Sequence, residues 1–206
     1  YNTLKRTNLV MKEDADRRAV VNDFLGVSYG GDVEVLHLLE VLRDRVGYAE
    51  LKKRIKRDLT KLPVAAYYGC TLQRPKAVAI DQAEPPRIFE DFLQAIGCEA
   101  IEFPNKGECC GSHLAMSNEE IVVRLSGAVV ASAQAFGAEL ITTSCPLCFF
   151  NLERSQKHLR EAGGEMPALP ILYFTQLLGL ALGLPEEELG LGENLIDPRP
   201  VLQAKG

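Results

Sequence analysis

Apolar residues recur along this chain in two different rhythms. Leu4, Val10, Val20 and Val21 are spread among many charges, so Tyr1 to Phe24 reads as helical. The glycine-rich stretch from Gly26 to Gly31 breaks that pattern. Asp32 then offers an N-cap, and Val35, Leu38, Leu39, Leu42 and Val46 recur at helical spacing until Gly47. Tyr48 to Lys61 predicts a second helix, with Lys52, Lys53, Arg54, Lys56 and Arg57 forming a solvated basic face rather than a binding patch.

From Pro63 the rhythm changes. Val64-Ala65-Ala66-Tyr67-Tyr68 is a short continuous apolar run, the pattern of a strand buried on both faces, and it ends at Gly69-Cys70. After Pro75 and the Pro85-Pro86 pair, Ile88, Phe89, Phe92, Leu93 and Ile96 mark an amphipathic helix stopped by Gly97. Cys98 to Phe103 predicts a second strand, followed by the loop from Pro104 to Gly111. Asn118 to Phe136 predicts a long helix, and Glu139 to Thr143 a third strand ending at Ser144-Cys145. A helix follows to about Ala162, where Gly163-Gly164 breaks it, and Tyr173 to Leu182 predicts a last helix. Strand and helix thus alternate, which argues for an α/β fold: a Rossmann-like parallel sheet flanked by helices.

Composition narrows the function. The net charge of −5 argues against a nucleic-acid partner, which usually shows a basic excess. No apolar run reaches the roughly 18 residues of a transmembrane segment. No signal peptide is visible, so a cytoplasmic, reducing setting is expected. The chain opens without Met and is expected to be a piece of a longer protein. Six cysteines in 206 residues fall short of a disulfide scaffold and suggest metal or redox use.

Five of the six cysteines lie in three clusters: Cys70, the Cys109-Cys110 pair, and Cys145-Pro146-Leu147-Cys148. Each cluster falls just beyond the carboxyl end of a predicted strand, the edge where open α/β sheets bind ligands. Cys145 and Cys148 share a helix face at a helix start, where Ser144 suits the N-cap and the dipole favours thiolates. Gly107 and Gly111 free the loop to turn Cys109 and Cys110 the same way. Five soft donors exceed the four of tetrahedral zinc, so an iron–sulfur centre is expected ahead of zinc or a simple dithiol. Cys98 reads as a buried small hydrophobe. His113 and Lys106 are candidate neighbours of the site, Lys106 equally a plain loop lysine. His37 reads as a core or helix-surface residue and His158 as exposed.

Tyr67-Tyr68-Gly69-Cys70, Arg74-Pro75, Cys109-Cys110-Gly111 and Ser144-Cys145-Pro146-Leu147-Cys148 together resemble the cysteine-rich CCG domain family, most of all its heterodisulfide reductase B subunits. The gaps of 38 and 34 residues between the clusters fit that pattern, the second about one residue short. The resemblance implies an oxidoreductase subunit with a non-cubane [4Fe-4S] cluster on Cys70, Cys109, Cys110, Cys145 and Cys148. It implies a small disulfide or thiol substrate, and partner subunits carrying flavin and further iron–sulfur centres. Related CCG proteins serve succinate, lactate, glycolate and glycerol-3-phosphate oxidation, so electron transfer or a structural zinc in such a complex is the alternative. The family often carries two CCG repeats. Tyr1, Leu4, Arg6 and Thr7 align with Phe149, Leu152, Arg154 and Ser155, and Leu36 to Glu40 aligns with Leu172 to Gln176. Residues 1–62 are therefore expected to be the helical end of a first repeat, 63–184 the CCG domain and 185–206 a tail.

Overall fold

The computed structural model describes residues 1–81, 85–163 and 168–205. Four parallel strands form one sheet: β1 (Pro63–Tyr67), β2 (Glu99–Ile101), β3 (Leu140–Thr143) and β4 (Ile171–Tyr173), in the spatial order β2-β1-β3-β4. The helices are α1 (Asn2–Glu13), α2 (Ala15–Leu25), α3 (Leu38–Glu40), α4 (Tyr48–Arg54), α5 (Ile88–Ala95), α6 (Glu119–Ala135), α7 (Pro146–Glu161), α8 (Phe174–Ala181) and α9 (Arg199–Lys205). The expected α/β class, a parallel sheet between helices, is what the chain adopts.

Strand β1 is wholly buried, and its alternation sorts the core. Val64, Ala66 and Tyr68 face one layer with Phe89, Phe92, Leu93, Leu177 and Leu180. Ala65 and Tyr67 face the other with Val129, Val130, Ile141, Leu152 and Ile171. Cys98 lies in the first layer, whereas Cys110 and Cys148 lie in the second.

Several boundaries differ from the expected ones. Asp32 is no N-cap: the chain stays irregular to His37, and the helix begins at Leu38 and continues as a π-wound turn over Val41–Val46. His37 caps it instead. Its Nδ1 accepts from Leu39 N at 3.1 Å, and Glu40 Oε2 accepts from His37 N at 2.7 Å. The stretch from Tyr1 to Phe24 is two helices, parted at Asp14, whose carboxylate accepts from Arg17 N at 2.9 Å. The basic helix stops at Arg54. Lys56 and Arg57 then donate their amides to Ala181 O at the end of α8, filling an orphan carbonyl. Strand β4 is hidden in the sequence because Ile171-Leu172-Tyr173 runs unbroken into the apolar start of α8, and a three-residue run carries no period of its own. Gly163 has a left-handed φ of +77° after α7; Gly164 lies outside the described residues.

The segment after α8 is bound to the domain. Glu153 on α7 accepts from the amides of Leu195 (3.0 Å) and Ile196 (3.4 Å), and Asn194 Nδ2 donates to Ile171 O at 2.6 Å. Arg57 bridges to Glu186 at 2.9 Å and donates to Leu202 O at 3.2 Å.

Two distant stretches carry the same contacts. Tyr1 meets His37 edge-on at 5.4 Å, and Phe149 stacks on Tyr173 at 4.9 Å. Asn8 Nδ2 donates to Val33 O at 2.6 Å, and Gln156 Nε2 to Leu169 O at 3.0 Å. The N-cap amides of His37 and Tyr173 donate to Glu40 and Gln176, at 2.7 and 2.8 Å. They differ in burial: Leu152 is 0% exposed, its counterpart Leu4 58%.

His37 gives a pH signature. Burial pushes its imidazole down to about 4. An unfolded histidine titrates near 6.5, so between those values the unfolded chain holds more protons and stability falls as pH is lowered. Going from neutral pH to below about pH 4 costs on the order of 3 kcal/mol of stability through this group. His37→Gln should flatten the stability curve between about pH 4 and 6.5, read by chemical denaturation.

Candidate metal centre

The site is built at the carboxyl edge of three neighbouring strands. β1 delivers Cys70, β2 delivers Cys109 and Cys110 through the 3-10 turn Pro104–Gly107, and β3 delivers Cys145 and Cys148 at the start of α7. The parallel order makes all three strands end on one side.

The loops are fixed before any ligand is considered. Lys106 is buried, 7% exposed, and its carbonyl accepts from the amides of Tyr68 (2.9 Å) and Gly69 (3.2 Å). That ties the Cys109-Cys110 loop to the turn before Cys70. Its ammonium meets Glu90 and Glu102, each at 2.7 Å, and donates to Pro86 O at 3.2 Å. Glu90, 1% exposed, also accepts from Tyr68 Oη at 2.5 Å. Burial disfavours the Lys106 charge, but the carboxylates of Glu102 and Glu90 outweigh it and hold its pKa above the usual lysine value. Lys106 is thus neither a plain loop lysine nor free to meet a substrate.

On the other face Tyr67 Oη donates to Glu108 O at 2.7 Å, and Ser126 Oγ to Cys110 O at 2.9 Å. Gly69 has φ +63°, and a Cβ there would lie 3.0 Å from Cys148 Sγ. At Gly111, φ +83°, a Cβ would press on Leu125 and Val122 of α6 at 3.2–3.3 Å. Both are positions where only glycine fits without strain.

The sulfurs form a connected set. Cys110 and Cys148 are 3.6 Å apart, and Cys148 also hydrogen-bonds Cys145, while Cys70 neighbours Cys109. Flanked by two sulfurs and buried, Cys148 keeps its proton, its pKa raised. The thiol it lends pulls both Cys110 and Cys145 down to about 6 against burial. Burial, then Cys109, raises Cys70. Cys145, not Ser144, is the N-cap residue of α7, with Pro146 in its first turn.

Other donors reach the sulfurs. Gly111 N donates to Cys109 Sγ at 3.3 Å, and Asn151 Nδ2 to Cys110 Sγ at 3.6 Å. The imidazole Nδ1 of His113 lies 3.9 Å from Cys109 Sγ, so this exposed histidine does line the site. Sequence reasoning misses Asn151, although it lies three residues after Cys148 on the same helix face. Gln73 Nε2 is a buried nitrogen with no hydrogen-bond partner among the described residues. Cys98 stands apart in the other core layer, its thiol pushed up to about 12 by burial. His158 is exposed on α7. No three His, Cys, Asp or Glu side chains among the described residues surround a single-ion position. The thiols gather at one edge without closing on one point.

Fold and site together define a thiol-rich α/β domain. Residues 64–153 match the cysteine-rich (CCG) domain. The chain is 34% identical to the B chain of a ferredoxin/F420H2-dependent CoB-CoM heterodisulfide reductase of Methanosarcina acetivorans, over 95% of this chain and 67% of that protein. It is 35% identical to an 8-methylmenaquinol:fumarate reductase membrane anchor subunit of Wolinella succinogenes, over 90% of this chain and 67% of that one. A crystal structure of a hypothetical protein from Helicobacter pylori shares the fold, with a TM-score of 0.72 at 16% identity, covering 93% of this chain and 35% of that one. The chain belongs to the CCG cysteine-rich domain family that includes the heterodisulfide reductase B subunits.

Lys106→Met should destabilise the fold by about 3–5 kcal/mol, because it strands the Glu90 carboxylate in the core. Adding Glu90→Gln should recover part of that loss, measured as a denaturant midpoint. Gly69→Ala should displace Cys148, seen as a change in thiol reactivity at that position.

Proposed function

We propose that this chain is the iron–sulfur redox subunit of a heterodisulfide reductase-like complex. Cys70, Cys109, Cys110, Cys145 and Cys148 hold a non-cubane [4Fe-4S] cluster that takes part in disulfide reduction or thiol oxidation. The reading rests above all on five thiols, from three separate loops, meeting at the carboxyl edge of one parallel sheet.

The residues present suit such a group. The donors are soft sulfurs, two of them held near a pKa of 6 and so ready to lose their protons to metal. Cys145 and Cys148 open a 16-residue helix whose positive end favours thiolate. Amide donors from Gly111 and Asn151 already point at sulfur, and Gln73 offers another without an acceptor. When bound, a cluster of this kind supplies one-electron transfer and iron positions with affinity for sulfur. The protein's part is to bring the thiolates together, shield them with Tyr67, Phe149 and Tyr173, and leave Cys109 and Cys145 partly open.

The disulfide substrate is argued from the relatives named as B subunits of heterodisulfide reductases. Electrons would reach the site through partner subunits carrying flavin and further clusters. No helix among the described residues is long and apolar enough to cross a membrane. The reading puts the chain in the cytoplasm, with any membrane attachment made by partners. The matching contacts of α1 to α3 and α7 to α8 support a further part of it: residues 1–62 as the closing elements of a first CCG repeat and 63–184 as the second, with 185–206 a C-terminal tail.

Iron and acid-labile sulfide analysis with EPR tests the reading. The anaerobically prepared protein should be coloured and hold both elements in about equal amounts. Cys145→Ser should abolish binding, because it removes a thiolate on a rigid helix start. Cys109→Ser and Cys110→Ser should give intermediate losses, and Cys98→Ser should keep the full iron content. A colourless protein holding one zinc would overturn the proposal.

A further inference from the structure

The turn after β1 carries a side chain that the five thiols do not account for. Gln73 lies three residues beyond Cys70, and its backbone amide donates to Cys70 O at 3.4 Å. Its side-chain oxygen faces the other cysteine loop: a Cβ placed on Gly107, two residues before Cys109, would meet Gln73 Oε1 at 3.1 Å. The Gln73 amide therefore fills the gap between the Cys70 turn and the Cys109-Cys110 loop, and glycine at 107 leaves it room.

The nitrogen of that amide is buried and finds no acceptor. A buried amide N–H almost always has one. Neighbouring polar groups are already engaged. Lys106, Glu90 and Glu102 satisfy one another, Glu108 O accepts from Tyr67, and Asn151 is directed to Cys110. The two segments between which the amide lies, the Cys70 turn and the Cys109-Cys110 loop, each carry a thiol of the centre.

We infer that the Gln73 side-chain amide donates a hydrogen bond to a sulfur of the centre held between Cys70 and Cys109. This rests on the iron–sulfur reading above. Thiolate and sulfide sulfurs are the acceptors such a centre brings. Hydrogen bonds to them stabilise the more negative, reduced state and so raise the reduction potential. Gln73 thereby complements Asn151, which serves Cys110 from α7. The two amides would hold the centre from different loops.

The test uses the protein loaded with iron and sulfide, carrying 15N in its glutamine side-chain amides. Pulsed EPR of the reduced centre should show a 15N coupling. Gln73→Met should keep its iron, lose that coupling, and shift the midpoint to more negative potential. A tenfold change in the one-electron equilibrium, about 59 mV, is the size expected. Asn151→Leu should leave the glutamine coupling in place. A loaded wild-type protein with no 15N coupling, or a Gln73→Met protein with coupling and midpoint unchanged, would overturn the inference while leaving the cluster reading intact. If Gln73→Met fails to fold or load, Gln73→Glu, which keeps the shape and carries no amide nitrogen, is measured in its place, and a glutamine 15N coupling unchanged in that protein overturns the inference. A wild type that takes up no iron and sulfide sinks both readings together.

Discussion

The buried contact between Lys106 and Glu90 is the constraint on which the site depends. It joins three parts that the chain order keeps apart: α5 through Glu90, the end of β1 through Tyr68, the residue that follows it, and the loop after β2 through Lys106 itself. A buried ion pair is weak evidence for stability, since removing two charges from water offsets most of their attraction. Its value here is geometric. Tyr68 donates to one oxygen of Glu90 and Lys106 to the other, so the carboxylate has one orientation. The Lys106 carbonyl in turn fixes the amides of Tyr68 and Gly69. Cys70 follows Gly69 directly, and Cys109 follows Lys106 by three residues. Two of the three cysteine segments are thus registered by a polar cluster on the face of the sheet opposite to the thiols.

The thiol face uses different means. Tyr67 points the other way along β1 and closes the floor of the site, with its hydroxyl on Glu108 O. Gly69 lets Cys148 approach the chain of β1, and Gly111 lets the Cys109-Cys110 loop settle on α6. Because α7 begins immediately after its N-cap Cys145, the sulfurs of Cys145 and Cys148 are both carried by the first turn of one helix. The remaining thiols are brought to them. Neighbouring sulfurs then set one another's proton affinity: one proton held on Cys148 makes thiolates of Cys110 and Cys145 easier to form. Such a set suits the metal centre proposed above.

The contacts shared by α1 and α7 extend the picture beyond the cysteines. A helix-to-carbonyl amide bond, a ring contact (edge-on at one place, stacked at the other) and an N-cap bond recur at matching positions of both. Yet β4 is paired to β3, while residues 33–37 form no strand pair among the described residues. Leu152 is buried by the sheet, and Leu4 has no sheet to be buried by. One set of elements is finished and its counterpart is open, and the exposed apolar residues of α1 and α2 follow from that difference.

Much of this is legible in the residues. Strand β1 is plain because a run buried on both faces needs no period. The amphipathic α5 and the long α6 are plain because their apolar stripes match 3.6 residues per turn and glycines stop them. The cysteine clusters can be placed at strand ends for the same local reason. Strand β4 is invisible, since three residues feeding a helix cannot announce a strand; pairing with β3 makes it one. The irregular path from Asp32 to His37 is equally hidden, because the capping contact of His37 with Glu40 outweighs a nominal Asp N-cap. The roles of Lys106 and Gln73 lie beyond sequence reasoning altogether. Each owes its role to groups on other loops: Glu90 sixteen residues before Lys106, and Gly107 thirty-four after Gln73. Local pattern decides which segments become strands and where cysteines punctuate them. Which side chains meet between those segments depends on how the sheet orders its strands, and only the tertiary structure decides that.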